Sequence, residues 1–84
     1  MYVPMRLNVR DVLINEGDPS NSIYVLKSGE LEILKYDPVS KSHQVIGHVE
    51  AGELFGEMSF LDNLPRSATV RATTVCEVHI LNRA

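Results

Sequence analysis

Tryptophan is absent and cysteine occurs once, at Cys76, in a chain of 84 residues. A lone thiol excludes an internal disulfide, which fits a reducing compartment. Long apolar runs are missing too, including from the opening Met1-Tyr2-Val3-Pro4-Met5-Arg6, so neither a signal peptide nor a membrane span is expected. Basic residues are outnumbered, 8 Lys and Arg against 11 Asp and Glu, for a formal charge of −3. Without a basic footprint, nucleic acid and anionic membrane are not expected as direct partners. The expected setting is cytoplasmic, either as a free protein or as the cytosolic domain of a membrane protein. A chain this short makes one small domain that buries only about 60% of its unfolded surface, so an oligomer or a neighbouring domain would add stability.

What is present is a series of short apolar runs separated by turn residues, with no sustained 3.6-residue period. The pattern predicts strands at Met5–Asn8, Val12–Asn15, Ile23–Lys27, Leu31–Tyr36, Gln44–Val49, Ala68–Ala72 and Val75–Leu81. Turns fall at Gly17–Asn21, Ser28-Gly29, Asp37–Lys41 and Thr73-Thr74, where Gly, Pro, Asn, Asp and Ser concentrate. Alternation assigns Ala68, Val70 and Ala72 to one face, and Cys76, Val78 and Ile80 inward against outward Glu77 and His79. Evenly spaced strands with one helical interruption at Gly56–Leu61 predict a mainly β fold, a double-sheet β-roll or jelly roll carrying one short helix.

Chemistry concentrates between Phe55 and Ala72. Gly56 lets backbone approach a ligand with no Cβ in the way, and the helix expected after it would offer free N–H groups to an anion. Arg66 brings a planar, permanently charged fork, while Glu57, of opposite sign, suits a hydroxyl donor such as a ribose. An anion site with a hydroxyl acceptor beside it points to a nucleotide.

Three histidines raise the alternative of a metal-dependent enzyme on a cupin-like roll. His43 and His48 lack the His-x-His spacing that puts two imidazoles on one strand face, and His79 is expected to be exposed, so no metal is expected. Cys76 reads as a small core residue, and neither a Ser-His-Asp set nor paired carboxylates are evident. The chain is therefore expected not to be an enzyme and to need no cofactor.

Phe55-Gly56-Glu57, Leu61 four residues on, then Pro65-Arg66-Ser67-Ala68-Thr69-Val70 and Ala72 resemble, without a gap, the phosphate-binding cassette of the cyclic nucleotide-binding domain family. Upstream, Glu16-Gly17-Asp18, Ile23–Leu26, Gly29 and Gly52-Glu53 fall at the family's strand-turn landmarks, so the resemblance runs from Asp11 to Arg83. Arg10 departs from the pattern, standing where the family usually carries a turn glycine.

The resemblance implies a regulatory, allosteric signalling domain that binds cyclic AMP, or less favourably cyclic GMP, and passes the signal to an effector domain outside this chain. Arg66 would pair with the cyclic phosphate, Gly56, Ser67 and Ala68 would donate hydrogen bonds to it, and Glu57 would hold the ribose 2′-OH. Ile33, Ile46 and Gly47 would lie near the base. The family also places helices before and after the roll, so residues 1–84 read as its β-roll core with the flanking helices largely absent. The alternative is a degenerate roll that binds no nucleotide and serves as a structural or protein-interaction module.

Overall fold

Alternating apolar and polar residues give each strand one face that leaves water and one that stays in it, and two such sheets bury those faces against each other. The computed structural model describes residues 2–19, 22–57 and 64–82. Its strands are β1 (Tyr2–Leu7), β2 (Val12–Ile14), β3 (Ser22–Ser28), β4 (Glu30–Asp37), β5 (Ser42–Glu50), β6 (Leu54–Phe55), β7 (Thr69–Ala72) and β8 (Cys76–Asn82). One sheet runs β1-β8-β3-β6 and the other β2-β7-β4-β5, with antiparallel pairing throughout. This is the mainly β double-sheet roll that the apolar spacing predicts. The helix expected over Gly56–Leu61 lies, beyond Gly56 and Glu57, outside the described residues.

Strand β8 shows how alternation becomes packing. Cys76, Val78 and Ile80 are buried, and they face Leu7 on β1 and Leu26 and Tyr24 on β3. Leu31, Val49, Val70 and Ala72 approach from the other sheet to complete the core. Each large aliphatic side chain so buried contributes about 1.5–3 kcal/mol. Glu77 is exposed, as expected, whereas His79 is only half-exposed and sits 3.1 Å from the Glu77 carboxylate.

The turn between β1 and β2 keeps a glycine-like shape without a glycine. Arg10 has φ +75° and donates its N–H to Ala72 O at 2.8 Å, while Ala72 N–H donates to Asp11 O at 2.9 Å. Asn8 N–H is capped by the Asp11 carboxylate at 2.8 Å. These bonds tie the turn to β7 and hold Arg10 in a region that L residues enter at a cost.

Opposite Ile33 and Leu34, β5 carries a bulge. Ile33 pairs with Gly47 and Leu34 with Val45, leaving Ile46 as the extra residue. A bulge turns its extra residue away from the ladder, and Ile46 is 61% exposed.

Candidate functional site

Pro65 biases Leu64 toward extended backbone, and the chain reaches Arg66 without regular secondary structure. There it is fastened to the turn that follows β2: Gly17 N–H donates to Arg66 O and Arg66 N–H to Asp18 O, both at 2.8 Å. Glu16 N–H adds a bond to Thr69 Oγ1 at 3.1 Å. With its main chain held on that side, the Arg66 side chain runs inward and is 5% exposed.

The guanidinium meets two backbone carbonyls. Nη1 donates to Gly56 O at 2.9 Å and Nη2 to Ser22 O at 2.7 Å. The Arg66 Cζ lies 5.4 Å from the centroid of the Tyr24 ring, which stacks on Phe55 at 5.2 Å and 18°. Cation–π attraction and two charge-assisted hydrogen bonds therefore fix the fork. Among the described residues no carboxylate pairs with it. A buried cation without a counter-charge is costly, and two carbonyls occupy only part of a guanidinium with five N–H donors. An anion entering beside it would supply a counter-charge.

Arg66 forms one end of a cavity of about 140 Å³. Gly56, Ser67 and Ala68 share that polar end, and Ile14, Ile33, Val49, Phe55 and Val70 form the apolar walls. A second hollow of about 310 Å³ adjoins it, shares Ile33, Val49, Phe55, Gly56 and Ser67, and is bordered by Glu57, His48 and Glu53. The N–H groups of Ser67 and Ala68 have no acceptor among the described residues. The first hollow thus presents a guanidinium and two amides, the adjoining one is bordered by the carboxylates of Glu53 and Glu57, and the walls are aliphatic and aromatic. That combination suits a ligand with an anionic end, a hydroxyl and a flat apolar body.

The residues expected from the sequence distribute unevenly. Gly56, Glu57, Arg66, Ser67 and Ala68 come together around the two hollows, and Ile33 lines both. Gly47 borders neither and lies across from Ile33 on β5, where a Cβ built on it would stand 3.6 Å from Ile33 Cδ1. Ile46, turned out by the bulge, does not line the cavity. Sequence reasoning overlooked the walls Ile14, Val49, Phe55 and Val70. The inward phases of β2, β5 and β7 signal Ile14, Val49 and Val70, whereas the roles of Ser22 and Gly56 as carbonyl acceptors leave no trace in residue type.

The chain also resembles known proteins along most of its length. The family model described as "cyclic nucleotide-binding domain" matches residues 4–84. A cAMP-dependent protein kinase regulatory subunit from Hypocrea atroviridis is 40% identical over 73 residues, covering 87% of this chain and 14% of that protein. The cGMP-dependent protein kinase egl-4 from Caenorhabditis elegans is 32% identical over 80 residues, covering 95% of this chain and 10% of the kinase. Among solved structures, the cAMP-bound form of the EAL enzyme Bd1971 superposes with a TM-score of 0.87 at 28% identity, covering 95% of this chain and 21% of that one. The chain thus spans only a small part of the length of these relatives. With the family model covering all but the first three residues, this protein belongs to the cyclic nucleotide-binding domain family.

Proposed function

We propose that this domain senses a cyclic purine mononucleotide, cyclic AMP in preference to cyclic GMP, and catalyses nothing itself. The observation that carries the reading is Arg66, a buried guanidinium that lines a cavity beside two amides, with no carboxylate partner for the one and no acceptor for the others among the described residues. A cyclic phosphate has the charge and the exocyclic oxygens to accept from all three. Glu57 stands at the rim of the adjoining hollow, where it would accept a hydrogen bond from the ribose 2′-OH. The base would lie against the apolar walls, with Ile33 common to both hollows. Gly47 would act indirectly by supporting Ile33, and Ile46 would contribute only at the open edge.

The preference for cyclic AMP draws support from the regulatory subunit from Hypocrea atroviridis and the cAMP-bound Bd1971 structure. Resemblance to a cGMP-dependent kinase keeps cyclic GMP as the competing ligand. As a regulatory domain of a larger protein, the roll would bias an effector by binding the ligand better in one of two states. The rival reading, a roll that binds no nucleotide, treats the bonds from Arg66 to Ser22 and Gly56 as purely structural. Titration calorimetry with cyclic AMP, cyclic GMP and 5′-AMP separates the two. Saturable binding of a cyclic nucleotide, with cyclic AMP tightest, is expected, and no heat with either cyclic nucleotide would leave only the structural role.

A further inference from the structure

Lys35 lies on β4, two residues beyond Ile33, and its ammonium reaches the segment that enters β7. Its Nζ donates to the Ser67 carbonyl at 2.5 Å and stands 3.6 Å from the Glu16 carboxylate. Glu16 is itself placed by Tyr36 N–H, which donates to its Oε1 at 3.1 Å, and by its own N–H bond to Thr69. The ion pair is half-exposed and contributes little as a pair. Its consequence is geometric.

A trans peptide points its C=O and its N–H in opposite directions, and no cis peptide occurs among the described residues. The carbonyl of the Arg66–Ser67 peptide is held by Gly17 N–H, and the carbonyl of the Ser67–Ala68 peptide by Lys35. The N–H ends of the same two peptides belong to Ser67 and Ala68, which line the cavity and have no acceptor among the described residues. Each of these two amides is thus oriented by a separate bond on its far side, Ser67 N–H by the turn after β2 and Ala68 N–H by Lys35 on β4. A cation on the carbonyl also polarises its peptide and strengthens the N–H as a donor. Backbone supplies the first bond, whereas among the described residues the side chain of Lys35 supplies the second.

We propose that Lys35 is a positioning residue for the anion site, orienting the Ser67–Ala68 peptide so that Ala68 N–H is aimed and polarised toward a bound phosphate oxygen. The proposal rests on the reading of this cavity as a cyclic nucleotide site. Lys35 borders neither hollow, so it would act on the ligand through the carbonyl it holds.

The test uses the whole chain and cyclic AMP, with its two phosphorothioate diastereomers, each of which replaces one exocyclic oxygen by sulfur. Lys35→Met should weaken cyclic AMP binding about five- to tenfold, the scale of one oriented hydrogen bond, and Lys35→Arg should restore most of it. The preference between the two diastereomers should shrink in Lys35→Met, because Ala68 N–H addresses one oxygen more than the other. A general loss of packing would weaken both alike. In the ligand-free protein, the Ala68 amide proton should move upfield in Lys35→Met while amides on β8 stay in place. Wild-type affinity and diastereomer preference in Lys35→Met would overturn the role of Lys35 and leave the nucleotide site standing. Failure of the wild-type chain to bind cyclic AMP would instead overturn the site reading on which the proposal rests.

Discussion

Gly56 and Arg66 are in mutual contact through a space that admits no side chain: a Cβ built on Gly56 would stand 2.9 Å from Nη1 of Arg66 and 3.2 Å from Cδ2 of Tyr24. The Gly56 backbone has φ +83°, so its carbonyl can accept from Arg66 while its α-carbon stays clear of the guanidinium. Gly56→Ala meets two obstacles, a left-handed backbone and the Arg66 fork. The fork is the end of a flexible side chain and would yield first. We therefore expect a stability loss of about 1–2 kcal/mol in thermal or urea melts, and a loss of cyclic nucleotide affinity of about tenfold or more by calorimetry, because the anion donor is displaced.

Arg66→Lys should harm both folding and binding. An ammonium can reach one of the Ser22 and Gly56 carbonyls but not both in fork geometry, and leaving a buried carbonyl unpaired costs about 1–3 kcal/mol of stability. The lost charge-assisted bond to phosphate should weaken binding about ten- to a hundredfold. Calorimetry on protein whose circular dichroism is unchanged separates the two effects, and undiminished affinity there would remove Arg66 from the anion site.

Glu57 is best examined from the ligand side. A 2′-deoxy cyclic nucleotide should bind the wild-type chain about tenfold or more weakly than its ribose parent, the scale of a hydrogen bond to a charged acceptor. Glu57→Gln should narrow that gap, since the amide is a poorer acceptor than the carboxylate. Equal affinity for the two ligands in the wild type would assign Glu57 another task.

Gly29 supplies a control outside the site. It has φ +91°, and a Cβ there would overlap Val75 O and stand 2.7 Å from Cys76 Sγ. Backbone cannot yield as a side-chain tip does. Gly29→Ala should therefore lower stability by about 3 kcal/mol or more, seen as a large drop in melting temperature, while a folded fraction at low temperature keeps wild-type affinity.

Much of the fold was legible because burial follows a period of two. Val70 and Ala72 on β7, and Cys76, Val78 and Ile80 on β8, fall on the inward phase, and each is buried. Strand β6 escaped notice because Leu54 and Phe55 are too short a segment to show any period. The family pattern places Ile46 near the base, but a single inserted residue resets the phase of β5, and no residue type announces the bulge opposite Ile33 and Leu34. The gathering of Gly56, Glu57, Arg66, Ser67 and Ala68 was legible from residue chemistry and motif. The burial of Arg66 was not, for it depends on the carbonyls of residues 44 and 10 positions away in sequence. Lys35 was hidden for the same reason, since its partner is a carbonyl 32 positions distant.

The cavity takes Phe55 from one sheet and Ile14, Ile33, Val49 and Val70 from the other. Whatever fills it becomes a rivet through both layers, a piece of hydrophobic core delivered from solution. Held at a hundred times its dissociation constant, such a rivet adds about 2.7 kcal/mol to the stability of the folded state. For a roll of this size that is a sizeable fraction of the whole. The thermal survival of the domain, and with it the time it persists in a cell, would then rise and fall with the concentration of the molecule it detects.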